Sequence, residues 1–348
     1  MRLAATALAT LAAALPGGWP HSFQIGVTDG PGGARGVASL GMRFRYAYLA
    51  GGVNTGHGWA TWNPGGAYAS MYADESRRAH VIPVFSYYML LQSEPAGGGS
   101  EAARDLSNIR DRATMRAYYR DFALLMRRLA GRGLVVVQVE PDLWGYLEQA
   151  GARRTAAGFA HRLIAIRDRL ARNVRLAYHL SVWGTREDPI FTRPSLAHMR
   201  ALGRRSAAFY RSLHARFDLA FEDVLDRDAG FYRVIGGDGG AHWWQPGDFT
   251  RHVAYLRAFH RATRLGLVEW QVPLGNTTLP DTWGRFRDDH VQWLLGPDGA
   301  RHRREMRAAG VVAVLFGGGA DGTTSAQTDG GLFYRLARAY ERRPLPLR

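Results

Sequence analysis

The stretch Val135-Val136-Val137-Gln138-Val139-Glu140-Pro141-Asp142-Leu143-Trp144 reads as a buried strand that ends in two carboxylates and an indole. Period-two alternation sets Val135, Val137 and Val139 on one face and Gln138, Glu140 and Asp142 on the other. A strand covered by apolar layers on both sides is apolar throughout, so an inward row of polar groups requires hydrogen bonds, a cavity or a ligand. This segment therefore marks the end of a strand and the first place to look for a site.

Outward from it, strand-like and helix-like segments alternate, the pattern of a parallel sheet built from βα units. Apolar runs predict strands over 23–28, 44–50, 81–87, 134–140, 174–182, 217–222, 267–272 and 311–316. Amphipathic runs predict helices over about 113–130, 156–172, 195–214, 248–265, 285–309 and 330–342. Eight strands alternating with helices fit a (β/α)8 barrel, one domain over 21–348 with loop insertions at the C-terminal ends of the strands, better than an open doubly wound sheet. Neither an internal repeat nor a low-complexity linker divides the chain.

In such a barrel the outward face of each strand packs on helices, and the inward residues near the strand ends form the site. The fourth strand presents Gln138, Glu140 and Asp142, and the fifth His179, Ser181 and Trp183 opposite Leu176, Tyr178 and Leu180. The sixth is expected to present Asp218 and Glu222 opposite Phe217, Leu219 and Phe221. The seventh is expected to present Glu269 and Gln271 opposite Val268, Trp270 and Val272. Four consecutive strands then converge on one polar lumen.

Composition narrows the chemistry. The chain has 348 residues, 46% of them hydrophobic, which is enough to bury a substantial core. Its net charge of +15 rests on arginine alone, scattered along helix-like segments such as Arg127, Arg128, Arg303 and Arg304, so the charge is read as solvated helix faces and not as a nucleic-acid footprint. The lack of lysine excludes Schiff-base chemistry and a P-loop lysine, and the lack of cysteine excludes thiol nucleophiles, disulfides and thiolate metal sites. Carboxylate chemistry remains open. Arg2, the uncharged run Leu3 to Leu15 and the small residues Ala12 to Ala14 read as a signal peptide within 1–20, with a secreted or periplasmic mature protein and no membrane span.

Two carboxylates facing one another across a barrel mouth meet the minimum requirement for glycoside hydrolysis, one donating a proton and the other acting as base or nucleophile. Glu140 with Glu222 is the expected pair, with Asp142 and Glu269 as further candidates. Trp59, Trp62, Trp144, Trp183, Trp243, Trp244 and Trp283 fall at or beyond strand ends, where indoles can stack on sugar rings. Asp29, Asn54, His179, Gln271, Asn276 and Asp321 are candidate partners for sugar hydroxyls. No cofactor is expected, and no His-x-His or His-Glu-x-x-His pattern supports zinc. Asp223, Asp226 and Asp228 lack EF-hand spacing and are read as surface salt-bridging groups. The loop from Gly317 to Ser325 is read as a turn or lid, with a phosphate site as the alternative.

Glu140-Pro141 closing a fourth strand resembles the Asn-Glu-Pro motif of clan A retaining glycosidases, with Val139 in the place of the Asn. That resemblance implies Glu140 as acid/base and Glu269 as nucleophile. Val139-Glu140-Pro141-Asp142-Leu143 also resembles the Glu-Pro-Asp-Ser-Leu motif of inverting family-six cellulases, without its serine, and Gly319-Ala320-Asp321-Gly322 is similar to that family's Glu-Ser-Asp-Gly turn. This second resemblance implies Asp142 as proton donor. The function expected is an exported glycoside hydrolase acting on a polysaccharide or oligosaccharide. The alternatives are a non-catalytic carbohydrate-binding or assembly protein and a phosphate-handling barrel isomerase or lyase.

Overall fold

A computed structural model describes residues 15–95, 97–187 and 189–348. The candidate signal segment from Arg2 to Ala14 lies outside the described residues. The strands are β1 (Gln24–Thr28), β2 (Phe44–Leu49), β3 (Ile82–Tyr87), β4 (Val135–Val139), β5 (Val174–Leu180), β6 (Leu219–Asp223), β7 (Gly266–Val272) and β8 (Val311–Phe316). They pair in sequence order, all parallel, and β8 returns to β1, which closes a (β/α)8 barrel. Closure leaves no sheet edge exposed.

Two apolar layers hold the barrel. Outside it, Val135, Val137 and Val139 pack under helices through Phe122, Leu125 and Phe159. The helix Arg112–Leu129 supplies Met115, Tyr118, Phe122, Leu125, Met126 and Leu129, whose three- and four-residue spacing forms one stripe. Asp111 caps this helix by accepting from the Thr114 amide at 2.7 Å. Inside the barrel, Phe44, Val84, Val136, Phe221, Val268 and Leu315 fill the lumen. Gly26 makes room for them, since a Cβ there would lie 2.5 Å from Leu315 and 2.7 Å from Phe44. Trp19 closes the N-terminal end, its ring 4.8 Å from Phe44.

The strand expectations hold to within two residues. The helix expected over 285–309 is instead two, His290–Leu295 and Gly299–Ala308, because Gly296-Pro297 interrupts the backbone hydrogen bonding. The helix Ala67–Arg78 escapes the periodicity reading because, apart from Tyr72, its buried face carries only the small Ala69, Ser70, Ala73 and Ser76, which make a weak apolar stripe.

Candidate active site at the C-terminal end of the barrel

The site begins where β4 ends. The Glu140 amide makes the last ladder bond, to the Tyr87 carbonyl at 2.8 Å, and then Glu140 (φ 46°) and Asp142 (φ 71°) take up positive φ. The Leu143 amide donates to the Pro141 carbonyl at 2.9 Å, so Asp142, with ψ −42°, is the centre of a γ-turn of the uncommon, strained hand. That turn aims its carboxylate into a cavity of about 640 Å³ above the barrel. Tyr88 donates to Asp142 Oδ2 at 3.3 Å. Burial pushes the Asp142 carboxyl up to about 7, and the Asp223 and Glu101 carboxylates add to the rise.

His179 on β5 stands beside it, fully buried. Ser86 donates to Gln138 Oε1 at 2.8 Å, which turns the Gln138 amide nitrogen toward His179 Nδ1, also at 2.8 Å. Nδ1 therefore accepts, and the neutral ring carries its proton on Nε2. Nε2 lies 3.2 Å from Asp223 Oδ1 at the end of β6, although neither atom has an aligned hydrogen-bond partner among the described residues. Asp142, His179 and Asp223 bring one polar atom each to within 4.8 Å of one another. They converge from three adjacent strands on one point, close enough to share a proton, a substrate hydroxyl or a cation.

Aromatic and amide groups wall the cavity. Trp183 lines it with Tyr146 at 4.9 Å between ring centres, and Gly145 lets the indole approach, since a Cβ there would lie 2.7 Å from that ring. Trp270 presents its ring between Tyr48 and His179, each 5.7 Å away. Gln271 would point outward by simple alternation. A register shift between Glu269 and Val272 and a φ of 54° turn it inward, where it donates to the Tyr48 hydroxyl. Asp226 also lines the cavity, engaged by Tyr232 and Arg227, and Tyr232 stacks on His242 at 3.6 Å.

Of the expected site residues, Asp142, His179, Trp183 and Gln271 line or floor the cavity. Glu140 does not. Its positive φ swings the carboxyl behind the wall, where it accepts from the Met89 and Leu90 amides at 3.1 Å each, and burial pushes it up to about 8. Glu222 and Glu269 also point the other way. Phe221, Val268 and Trp270 fill the lumen, so the carboxylates one residue away face outward, where both meet His252 of the helix Pro246–Thr263 at 3.3 and 2.9 Å. Barrel lumens are packed with side chains below the site, and on β6 and β7 the large apolar residues take that role.

Other expected ligand contacts are structural fastenings. Trp144 is fully buried, donates to the Val139 carbonyl at 2.8 Å and packs on Phe159 and Tyr178. Trp244 is buried against Phe249, His252 and His290, and Trp243 is not among the cavity-lining residues. Asp29 pairs with the buried Arg45 at 2.8 Å. Asn54 ties down Glu94 through two hydrogen bonds, and Asn276 holds the Asp329 carbonyl. Asp321 is exposed and lies outside the cavity lining. In the loop after β8, the Gly319 and Thr324 amides donate to the Asp226 carbonyl and the Asp228 carboxylate, so these two are committed and do not cradle a phosphate.

Asp223, read from sequence as a surface group, is the main residue missed. It lies one position beyond the expected end of the sixth strand, on the face assigned as outward. Asp228, grouped with it, is buried and accepts from the Gly275 and Thr324 amides at 2.8 and 2.7 Å.

No family model and no curated protein matches the chain. Solved structures do. A GH26 β-mannanase from Bacteroides ovatus superimposes with a TM-score of 0.56 at 12% identity, covering 93% of this chain and 89% of that one. The GH53 catalytic domain of Ignisphaera aggregans gives 0.52 at 10% identity, covering 93% and 98%. A β-galactosidase from the psychrophilic Marinomonas ef1 gives 0.56 at 10% identity over 92% of this chain, which spans 59% of that protein's length. At such identities the likeness is one of fold, and it agrees with the closed (β/α)8 barrel described above.

Proposed function

We propose that the chain is a glycoside hydrolase in which Asp142 is the proton donor and Asp223 the nucleophile. The observation that carries this reading is the pair itself: a half-buried carboxyl raised to about 7 with a second carboxylate within 4.8 Å of it, at the floor of an aromatic-walled cavity. A carboxyl that stays protonated near neutral pH beside one free to attack is the division of labour that acetal cleavage needs. The names of the structural neighbours, a β-mannanase and a β-galactosidase among them, agree with this chemistry.

In the first step the Asp142 proton passes to the glycosidic oxygen as the bond from that oxygen to the anomeric carbon breaks. Asp223 bonds to the anomeric carbon, and the leaving group departs as an alcohol. In the second, water gives a proton to the Asp142 carboxylate and its oxygen displaces Asp223, which restores both groups. His179 Nε2 stands 3.2 Å from the Asp223 carboxylate, and the Ser86–Gln138 relay fixes the ring there. The closeness of the two carboxylates belongs with retention, for which separations of about 5–5.5 Å are usual, and not with the roughly 6.5–9.5 Å that admits a water for inversion. Trp183 stacks on a sugar face, and Gln271 and Tyr48 meet hydroxyls.

The test is a panel of aryl glycosides and neutral polysaccharides, with the anomer of the first-formed product read by NMR. Hydrolysis with retained configuration is expected. Binding without hydrolysis across the panel would replace this reading with a non-catalytic carbohydrate-binding protein.

A further inference from the structure

Behind the barrel wall, away from the cavity just described, Glu222 of β6, Glu269 of β7 and His252 of the helix Pro246–Thr263 form a second cluster. One polar atom from each lies within 4.8 Å of the others, and both glutamates are 1% exposed or less. His252 Nε2 lies 2.9 Å from Glu269 Oε2 and 3.3 Å from Glu222 Oε2. Both Glu222 oxygens and Glu269 Oε1 lack a hydrogen-bond partner among the described residues. Ionised and dry, two carboxylates against one imidazolium carry an uncompensated negative charge, which an interior does not tolerate cheaply.

A small pocket with room of about 10 Å³, enough for a single water or ion, adjoins this cluster; Glu269, His252 and His290 are among its lining residues, and Glu222 lies beyond them. His290 opens the helix His290–Leu295 and is 2% exposed. Its Nδ1 lies 2.6 Å from Asp288 Oδ1, while its Nε2 has no partner among the described residues. A histidine whose one nitrogen donates to a carboxylate and whose other nitrogen faces a buried space is arranged as metal-ligating histidines are. Trp244 packs against both imidazoles, at 5.1 Å from His252 and 4.7 Å from His290, and Phe249 and Met306 complete an apolar jacket.

We infer that Glu222, Glu269, His252 and His290 bind one divalent transition metal ion, zinc being the ion whose ligand chemistry they match, as a structural site that ties the outer face of β6 and β7 to the helices that cover it. Two carboxylates and two neutral imidazoles around a dication sum to zero charge. Donors about 2.1 Å from a tetrahedral ion lie roughly 3.4 Å apart, close to the 3.3 Å between His252 and Glu222. The 2.9 Å between His252 and Glu269 opens by about half an ångström to reach the same spacing. The four donors complete a closed set with no position for substrate, and nitrogen–oxygen ligation suits zinc and its neighbours better than calcium or magnesium.

The test uses the full chain, loaded with zinc or cobalt, desalted and analysed for metal. About one ion per chain is expected to survive desalting, the cobalt form should show the strong visible absorption of a four-coordinate site, and zinc should raise Tm over chelator-treated protein by several degrees. His290→Ala and Glu222→Gln should lose the ion, and His179→Ala, in the cavity on the other side of the wall, should keep it. Substoichiometric metal with no change in Tm overturns the inference, as does an ion lost in His179→Ala and kept in His290→Ala. The wild-type cobalt spectrum decides the matter if a variant fails to fold. None of these readouts depends on hydrolysis, so the site stands or falls separately from the proposed activity.

Discussion

Replacing Asp142 by Asn should destroy activity and stabilise the fold, and the second effect has a pH dependence that the structure specifies. The Asp142 carboxyl is held at about 7 in the folded protein, against an ordinary value of 3.8. A gap of about 3 pH units at 1.36 kcal/mol each gives a ceiling of about 4 kcal/mol, and screening by water in the open cavity brings the expectation to about 2–4 kcal/mol. The sign follows from linkage. Because the folded value lies above the unfolded one, ionising Asp142 opposes folding; the penalty is absent below pH 3.8 and complete above about pH 7. Asn has the same shape, accepts the Tyr88 hydrogen bond and carries no charge. Urea denaturation of both proteins should therefore show nearly equal stability at pH 4 and Asp142→Asn more stable by about 2–4 kcal/mol at pH 8. Equal stability at both pH values, or a less stable variant at pH 8, would refute the claim that this carboxylate is kept in place at the expense of the fold.

Trp183→Ala should raise KM roughly tenfold and leave kcat within about twofold, because stacking on a sugar face is felt in the ground and transition states alike; steady-state kinetics separate the two. Gly319→Ala would set a Cβ 1.8 Å from Gln271 Nε2, and since that is the end of a flexible side chain the cost falls on the site. It should lower kcat/KM while shifting stability by about 1 kcal/mol or less in thermal or urea unfolding. Trp144→Ala, by contrast, should cost about 3–5 kcal/mol in urea unfolding and impair activity only through loss of folded protein.

Much of this architecture was legible in the chain because apolar runs such as Val135–Val139 and Val311–Phe316 can only be central strands. Asp142, His179 and Trp183 could be placed at the cavity from strand position alone, whereas Gln271 reaches it through a register shift and positive φ that alternation does not foresee. Glu140 could not be placed, because positive φ at a non-glycine residue leaves no mark in the pattern and reverses the side chain's direction. Glu222 and Glu269 failed for a different reason. On β6 and β7 the large apolar side chains face a lumen that must be filled, and a carboxylate can face outward if a histidine such as His252 waits in the covering helix, 30 residues along from Glu222. That partnership is invisible to periodicity. Trp144 illustrates the commonest fate of an indole near a strand end: its N–H closes on a backbone carbonyl and its rings join the core.

The most direct test of the central claim compares kcat/KM against pH for the wild type, Asp142→Asn and Glu140→Gln on whichever glycoside the panel shows to be cleaved. The wild type should lose activity as pH rises through about 7, where Asp142 gives up its proton. Asp142→Asn should fall by about 10²–10⁴-fold, and Glu140→Gln should keep the same alkaline limb with at most a modest loss in rate. An inactive Glu140→Gln beside an Asp142→Asn that still turns over with the wild-type profile would contradict the account.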